Sequence, residues 1–399
     1  MKKYKIDFIN SGYKRYYRKH RKQILGAIDK CYANGDFVLR KDLAEFEYGL
    51  SKFLKCKHVL GVNSGTDALK IAYKALGIKP GDEVITVSHV FIAPIQEIVH
   101  HGATPILIDV NPDGLMNADL IEAAITPKTV GIVPIHLSGK VCDMDKIMKI
   151  AKKHNLWVVE DACQALGAKW KGKMAGTIGD MGCFSHIAPK TLGVGGDAGT
   201  VVTNSDELAD KANLLRNHWN ITQGVLHGHQ PKQPKIMGWG YNSRLDNVHA
   251  SVLNIKLKHY PAMLKRRRQI GMMYNKGLKD LAKIPKDPFP HADTFPTHEL
   301  NKTRLITLPI QQDEQIYQEY IIKIPNMYEF KEYMDKQGIE LLIRDVTPNH
   351  LLPGLNLEHF KLPVTESLAT SSVRLPTYPE MRNDEVKAVI KAIRKFYNA

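Results

Sequence analysis

The chain has 399 residues, and its 56 Lys and Arg outnumber its 41 Asp and Glu, which leaves a formal net charge of +15. Hydrophobic residues make up 43% and charged residues 24%, a composition typical of a folded globular protein and unlike that of disordered, collagen-like or coiled-coil chains. This length predicts two domains. The charge excess leaves three classes of partner open: nucleic acid, an anionic membrane surface or an acidic small molecule.

Signals for export, membrane insertion and metal binding are missing from the sequence. Residues 1–10 are basic, but no apolar segment follows them, so we expect no signal peptide. No stretch reaches the roughly 18 apolar residues of a membrane-spanning helix. The five cysteines are widely spaced without a CxxC pair, a pattern that indicates neither a disulfide framework nor a zinc site. The sequence therefore predicts reduced thiols, no bound metal and a cytoplasmic protein.

Short β-rich runs alternate with amphipathic helical stretches between about residues 59 and 204. This alternation predicts an α/β fold with a mainly parallel sheet flanked by helices, in which ligands bind at the carboxyl ends of the strands. The predicted strands are Val59–Asn63, Glu83–Val87, Thr104–Val110, Val130–His136, Trp157–Asp161, Met181–Ser185 and Gly199–Thr203. The helices predicted between them include Thr66–Leu76, Ala118–Ala124 and Asp143–His154.

The remainder of the chain predicts a second, smaller domain. A long helix is expected from Asn247 to Leu281, and several prolines after it mark a loop. A strand at Gln318–Ile324 and an amphipathic helix at Asp384–Tyr397 indicate an α+β domain. We therefore predict a large domain over residues 1–255 and a small C-terminal domain over residues 256–399.

Two segments at predicted strand ends could bind an anion or a cation. The sequence Asn63-Ser-Gly-Thr-Asp-Ala-Leu69 opens a helix with small residues, which suits either an anion site or a simple N-cap. The sequence Val158-Val-Glu-Asp-Ala-Cys-Gln164 places Asp161 at the end of a buried strand. A carboxylate there requires a cation or a strong donor, or serves as a cap.

Two further segments could supply a nucleophile and a binding loop. In Cys183-Phe-Ser-His-Ile-Ala-Pro-Lys190-Thr-Leu-Gly193, Lys190 follows a strand in a glycine-rich loop, where it is either an amine nucleophile or an ordinary solvated lysine. The sequence Gly238-Trp-Gly-Tyr-Asn-Ser-Arg-Leu-Asp246 suits a binding loop or an ordinary turn. Neither GxGxxG nor GxxxxGK[ST] occurs, which argues against a dinucleotide or P-loop enzyme.

In this order, the four segments resemble those of the DegT/DnrJ/StrS sugar aminotransferases, which are pyridoxal-phosphate enzymes of the aspartate-aminotransferase fold. The resemblance extends to the segments at residues 36–47 and 375–380 and covers most of the chain. It implies that Lys190 carries the cofactor as a Schiff base and that Asp161 pairs with the pyridine nitrogen. An ionised Asp161 would keep this nitrogen protonated, which makes the ring an electron sink, and Lys190 could shuttle the substrate proton.

The resemblance also assigns the other cofactor contacts and the oligomeric state. It places Asn242 against the phosphate of the neighbouring subunit's cofactor, so the active unit is expected to be a homodimer with shared active sites. Within one subunit, the implied contacts are Gln164 near the cofactor hydroxyl, Gly65, Thr66 and Ser185 at the phosphate, and Phe91 stacked on the ring.

The positive charge is concentrated before and within the long helix. Residues 211–270 contain eleven Lys and Arg but one acidic residue, Asp246. We interpret Lys265–Arg268 as a solvated face, whereas His229, Lys232 and Lys235 are predicted to bind an anionic acceptor. His186 is expected to be structural or to face the substrate.

Three functions remain open. The first is transfer of an amino group from glutamate to a keto or aldehyde sugar for cell-envelope polysaccharide or lipopolysaccharide synthesis. The acceptor would be a nucleotide-linked 3-keto sugar or an acidic sugar such as 8-oxo-3-deoxy-octulosonate. The second is a pyridoxal-phosphate-dependent sugar dehydratase, which Lys190 disfavours because the dehydratases of the family carry histidine there. The third is a nucleic-acid-binding regulator, which the charge alone suggests without a recognisable binding module.

Overall fold

The computed structural model describes residues 4–220, 236–281, 306–324 and 326–398. Most of its strands belong to the first half of the chain. They are β1 (His58–Val62), β2 (Glu83–Val87), β3 (Thr104–Ile108), β4 (Thr129–Ile132), β5 (Trp157–Asp161), β6 (Lys169–Trp170), β7 (Lys173–Met174), β8 (Met181–Ser185) and β9 (Gly199–Thr203).

Seven of these strands form one sheet, in the order β1-β9-β8-β5-β4-β2-β3. All of them run in one direction except β9, which is antiparallel to both of its neighbours. The carboxyl ends of six strands therefore lie at one edge of the sheet. The predicted α/β fold with a mainly parallel sheet is confirmed.

Ten α-helices occur in the described ranges. Those of the large sheet region are α1 (Asn10–Asn34), α2 (Lys41–Leu54), α3 (Gly65–Ala75), α4 (Ala93–His100), α5 (Met144–His154) and α6 (Asp206–Arg216). The others are α7 (Asn247–Leu278), α8 (Met327–Lys336), α9 (Pro363–Ala369) and α10 (Asn383–Phe396). None of these helices combines the length and the apolar content needed to cross a membrane.

One predicted helix, Ala118–Ala124, is wrong. The segment forms two short 3₁₀ turns, Ala118–Leu120 and Glu122–Ala124. The side chain of Asn117 accepts a hydrogen bond from the backbone N–H of Asp119 at 3.1 Å. This local bond to a group two residues away tightens the turn and competes with α-helical pairing.

Helix α7 connects two hydrophobic clusters. Its first half, including Leu253 and Leu264, packs into the cluster that contains the large sheet. Its second half, from Ile270, joins a separate cluster with α8, α10 and two further strands, β10 (Tyr320–Lys323) and β11 (Ser372–Leu375). Helix α7 thus leaves the first cluster and enters the second between Leu264 and Ile270. The predicted domain boundary between residues 255 and 256 stays a prediction.

The interpretation of Lys265–Arg268 as a solvated face is wrong for Arg267. The Arg267 side chain is buried, and its Nη1 donates to the backbone carbonyls of Tyr317, Gln318 and Thr377 at 2.8–3.3 Å. A buried cation is tolerated because these carbonyls replace its water. Arg267 thus ties α7 to the chain segments before β10 and after β11.

Candidate active site

The predicted site residues meet at the carboxyl edge of the sheet. Because β1, β2, β5 and β8 run in the same direction, the turns that follow them lie side by side. The turn after β1 carries Gly65, the turn after β2 carries Phe91, β5 ends at Asp161 and β8 ends at Ser185. Topology therefore brings together groups that are up to 120 residues apart in sequence.

Gly65 lies at the start of α3 in close contact with β8. A Cβ atom at Gly65 would lie 2.7 Å from the Cβ of Ser185 and 3.1 Å from the Sγ of Cys163, distances that leave no room for a side chain. The preceding Ser64 caps the helix, since its hydroxyl accepts the N–H of Asp67 at 3.1 Å. The backbone N–H groups of Gly65 and Thr66 thus open a helix beside the Ser185 hydroxyl, an arrangement that suits an anion such as phosphate.

Asp161 is held at the end of β5 with 6% of its surface exposed. Its Oδ1 accepts the backbone N–H of Cys163 at 3.0 Å. The neighbouring Glu160 is completely buried and accepts hydrogen bonds from His136 Nε2 and from three backbone N–H groups at 2.6–2.8 Å. These bonds tie the loop at residues 176–179 to β5, which fixes the position of the Asp161 carboxylate.

Gln164 is oriented by a bond that crosses to the loop after β4. Its Oε1 accepts the backbone N–H of Ser138 at 3.0 Å. Ser138 adopts the left-handed conformation, with φ of 57°, and its side chain is buried. The bond uses the amide oxygen, so the amide nitrogen of Gln164 can serve as a donor, as expected for a residue near a cofactor hydroxyl.

Three side chains from outside the large sheet hold the loop that carries Lys190. The Oε1 of Gln318 accepts the N–H of Thr191 at 3.1 Å, and its Nε2 donates to the carbonyl of Pro189 at 3.0 Å. The Tyr260 hydroxyl lies 2.6 Å from that of Thr191, and Lys256 Nζ donates to the carbonyl of Gly193 at 2.7 Å. Burial lowers the pKa of Lys256 to about 8.

His186 occupies a structural position below this loop. The imidazole is fully buried, and its Nδ1 donates to the carbonyl of Leu192 at 3.0 Å while Nε2 accepts from the Thr200 hydroxyl at 3.1 Å. Burial lowers its pKa to about 4, so the ring is neutral at physiological pH. The geometry gives no support to a contact between His186 and a substrate.

Two predicted cofactor residues are exposed in the single chain. Phe91 has 67% of its surface exposed, and the Asn242 side chain also faces outward. The next residue, Ser243, is anchored at the start of α3 because its hydroxyl donates to Asp67 Oδ2 at 2.8 Å. His229, Lys232 and Lys235 lie outside the described residues.

Sequence reasoning missed three residues that shape the site: Ser138, Cys163 and Gln318. Cys163 belongs to the segment that contains Asp161, and its position two residues after that carboxylate could have indicated that it lies at the site. Ser138 belongs to a Ser-Gly pair after a strand, a weak turn signal. Gln318 lies 128 residues from Lys190, and no local pattern connects the two.

The described residues fit pyridoxal phosphate. Because Gly65 has no Cβ atom, the start of α3 approaches Ser185 closely, and the backbone N–H groups there together with the Ser185 hydroxyl suit the phosphate. The buried carboxylate of Asp161 suits a protonated pyridine nitrogen, and the loop-held Lys190 supplies an amine for the aldehyde.

Comparisons with known proteins match nearly the whole chain. A model of the DegT/DnrJ/EryC1/StrS aminotransferase family matches residues 18–394. A dTDP-3-amino-3,4,6-trideoxy-alpha-D-glucose transaminase from Micromonospora megalomicea subsp. nigra is 35% identical over 95% of this chain and 96% of its own. A UDP-2-acetamido-2-deoxy-3-oxo-D-glucuronate aminotransferase from Pseudomonas aeruginosa is 30% identical over 97% of this chain and 99% of its own. The crystal structure of S. venezuelae DesV in complex with a ketimine intermediate is 32% identical, covers 100% of both chains and has a TM-score of 0.85.

Proposed function

Because the chain belongs to the DegT/DnrJ/EryC1/StrS aminotransferase family, we propose that it transfers an amino group from glutamate to an anionic keto or aldehyde sugar. The chain is a pyridoxal-phosphate-dependent sugar aminotransferase. The choice of glutamate, the charge of the acceptor and the residue roles below are parts of the proposal. Its single strongest support is the carboxyl edge of the sheet, where Gly65, Asp161 and Ser185 meet beside the loop of Lys190.

Each residue of this edge has a separate task. Bound pyridoxal phosphate supplies a covalent link for the amino group and a ring that withdraws electrons. Gly65, Thr66 and Ser185 hold the phosphate, and Asp161 holds a proton at the pyridine nitrogen. Lys190 would hold the cofactor through its amine, and the same amine, when free, would be placed to move a proton of the substrate carbon that bears the amino group. Gln164 donates to the ring hydroxyl, and Phe91 covers the ring face.

An acidic acceptor accounts for the charge of the chain better than a neutral one. The excess of +15 is concentrated between residues 211 and 270, where a single acidic residue occurs. The relative from Pseudomonas aeruginosa is named for a glucuronate, a sugar that carries a carboxylate. Both a nucleotide-linked 3-keto uronic acid and a free acidic sugar such as an oxidised octulosonate agree with this charge. The contacts of His229, Lys232 and Lys235 with such an acceptor stay predictions.

A second copy of the chain completes the proposed site. Ile236, Met237 and Trp239 lie just before Asn242 and are 61%, 61% and 93% exposed. Phe91 is likewise exposed, and large apolar side chains left exposed in a single chain are typical of a region covered by a partner. Asn242 would then reach the phosphate bound by the neighbouring subunit.

Mixing two inactive variants tests the shared site. In a heterodimer of Lys190→Ala and Asn242→Ala subunits, one site carries both changes and the other carries neither. We therefore expect mixed and refolded subunits to regain about a quarter of the activity, while either variant alone stays inactive. Sites confined to single subunits would regain no activity on mixing.

A dehydratase is less well supported. The relatives named above are transaminases, which gives no support to a dehydratase. The role in cell-envelope polysaccharide or lipopolysaccharide synthesis and the cytoplasmic location stay predictions.

Transfer of labelled nitrogen tests the reaction itself. The purified enzyme is incubated with ¹⁵N-glutamate and a panel of keto sugars, and the products are analysed by mass spectrometry. We expect ¹⁵N in one acidic sugar product and loss of this product in Lys190→Ala. Lys149→Ala, which alters an exposed lysine on α5, should form the product as the parent does. A dehydratase would release a sugar without ¹⁵N and would refute the proposal.

A further inference from the structure

A cavity of about 40 Å³ lies beside the proposed cofactor site, between the turns of the large sheet and strand β10. Its lining includes His89, Ser138, Lys140, Glu319 and Lys323. The volume suits a small polar group and is too small for a sugar ring. None of the cofactor residues named above is in its lining.

Three of the lining residues connect the cavity to the active site. Ser138 lines the cavity and donates its N–H to Gln164. His89 lies two residues before Phe91 in the turn after β2. Burial alone would raise the pKa of Glu319, but the charges of Arg374, Arg344 and Lys190 lower it, which places Glu319 within electrostatic reach of Lys190. A group bound in the cavity can therefore belong to a molecule that also reaches Lys190.

The cavity has a cationic wall. Lys140 is 6% exposed, donates to the backbone carbonyl of Asp113 and has its Nζ 3.9 Å from the Oδ2 of that residue. Lys323 Nζ donates to the carbonyl of Pro112, and burial together with Lys140 lowers the pKa of Lys323 to about 7. The two buried amines exceed the single carboxylate of Asp113 in the cavity lining, so an entering anion would favour the protonated form of Lys323 and be attracted by it in the low dielectric.

The carboxylate of Glu319 does not oppose an anion in this cavity. Its Oε2 accepts from Arg374 Nε at 2.8 Å, and its Oε1 lies 3.1 Å from Arg344 Nη2. Arg374 also lies 3.0 Å from Asp345. These four side chains balance one another in charge, and Asp113 offsets one of the two lysines, so that the other lysine gives the cavity its positive sign.

Ser138 provides an independent indication of a ligand. Its Oγ is buried and has no hydrogen-bond partner, and the residue as a whole is 8% exposed. A buried hydroxyl without a partner costs free energy, which a ligand with an acceptor oxygen would recover. A donor hydroxyl and a buried amine in the lining of one cavity match the two oxygens of a carboxylate.

We propose that this cavity is a carboxylate subsite, in which Ser138 Oγ and the ammonium group of Lys140 bind a carboxylate of the substrate. Its assignment to a substrate rests on the proposed function. Both the acceptor sugar and glutamate carry carboxylates, so the chemistry is shared by two sources that the experiment must separate. Ser138 and Lys140 then determine which acids the enzyme accepts.

Acetate is the first probe, because it tests the cavity without any turnover. The melting temperature of the purified enzyme is measured in potassium acetate and in potassium chloride at equal ionic strength. We expect acetate to raise the melting temperature of the parent enzyme. Ser138→Ala and Lys140→Met should each weaken acetate binding at least about tenfold, the scale of a hydrogen bond to a charged group. Lys149→Met, which alters an exposed lysine of α5, should match the parent. Equal acetate binding in all four proteins, or none in the parent, would overturn the proposal.

The two half-reactions identify the source of the carboxylate. Conversion of the cofactor between its aldehyde and amine forms is followed by absorbance, first with glutamate and then with a pair of keto sugars. The pair is UDP-2-acetamido-2-deoxy-3-oxo-D-glucuronate and its counterpart with a hydroxymethyl group in place of the carboxylate. If the acceptor occupies the cavity, Ser138→Ala and Lys140→Met raise the half-saturation concentration of the glucuronate about tenfold and leave its counterpart and glutamate within twofold. If the donor occupies it, the rise is confined to glutamate.

Failure of this proposal differs from failure of the proposed function. An enzyme that binds acetate through Ser138 and Lys140 but transfers no ¹⁵N to any sugar refutes the aminotransferase proposal and retains the anion site. An enzyme that transfers ¹⁵N normally in both variants, with unchanged acetate binding, refutes the carboxylate subsite alone. Ser138→Ala removes a single oxygen, so it keeps the test decisive even if Lys140→Met does not fold.

Discussion

The side-chain amide of Gln318 is hydrogen-bonded to the N–H of Thr191, the residue that follows Lys190, at 3.1 Å. The same amide donates to the carbonyl of Pro189 at 3.0 Å, so one side chain brackets Lys190 on both sides. Gln318 lies immediately before Glu319 and β10, among residues that pack with the second hydrophobic cluster. The position of Lys190 therefore depends on how the two parts of the chain pack against each other.

Replacement of Gln318 by Ala should slow the reaction without weakening substrate binding. The loop of Lys190 would lose two hydrogen bonds and shift, and misplacement of a reacting group by about 1 Å can cost roughly a hundredfold in rate. We expect kcat to fall tenfold to a hundredfold while the KM for the acceptor changes less than twofold, as steady-state kinetics would measure. Gln337→Ala, at an exposed position after α8, serves as the control. A rise in KM at constant kcat would contradict a positioning role.

Replacement of Asp161 by Asn should abolish most of the activity and preserve the fold. The amide oxygen of Asn can still accept the N–H of Cys163, but a neutral side chain no longer holds a proton at the pyridine nitrogen. We expect kcat to fall at least about a hundredfold, the scale of a lost proton-transfer group, with an unchanged circular dichroism spectrum. Asp145→Asn, which alters an exposed carboxylate paired with Lys171, should retain full activity. Activity within tenfold of the parent would exclude the assigned role of Asp161.

Replacement of Gly65 by Ala should destabilise the protein and weaken cofactor binding. The added Cβ would lie 2.7 Å from the Cβ of Ser185, so the start of α3 must move away from β8. Such overpacking costs about 1–3 kcal/mol in the free energy of unfolding, which urea denaturation measures. Gly26→Ala is the matched control, since that Cβ in α1 meets no atom within 4 Å and should stabilise the helix by about 0.5–1 kcal/mol. Equal effects of the two changes would show that the space beside Gly65 is not restricted.

His186 should contribute to acid sensitivity. Burial lowers its pKa in the folded protein to about 4, against an ordinary value of 6.5, so between these values only the unfolded chain binds the proton. The folded state is therefore fully stabilised above pH 6.5 and loses up to about 3 kcal/mol as the pH falls to 4. In urea titrations at pH 4–7, we expect the free energy of unfolding of His186→Asn to fall less towards low pH than that of the parent. Parallel pH profiles for the parent and the variant would contradict the neutral, buried state of His186.

Several features of the fold and the site could be predicted from the sequence. The strands at Glu83–Val87, Trp157–Asp161, Met181–Ser185 and Gly199–Thr203 are confirmed with the predicted bounds. Short, mainly apolar runs bounded by turn signals locate buried strands, but they do not give the direction of β9, which is antiparallel to both of its neighbours. The α-helix predicted at Ala118–Ala124 is wrong because the apolar content of the segment suits a helix, while the side chain of Asn117 favours a tighter turn.

The environment of individual side chains was less predictable. Lys265–Arg268 is a run of like charge, for which a solvated face is the ordinary expectation. Arg267 is buried because carbonyls near Tyr317 and Thr377, 50 and 110 residues away in sequence, converge on its guanidinium group. His186 lies four residues before Lys190 in sequence, yet β9 and the loop itself occupy both of its ring nitrogens.

The sequence by itself determined the parallel strands, the family and the set of residues that lie at the carboxyl edge of the sheet, because local hydrophobic patterns and ordered motifs encode them. Only the tertiary structure decided which partners those residues meet. Gln318 beside Lys190, Ser138 beside Gln164, and the cavity of Lys140 join segments that are distant in the chain. The contacts of Gln318 and of the cavity depend on the packing of two hydrophobic clusters, and that of Ser138 on the folding of the large sheet, long-range properties that no local pattern records.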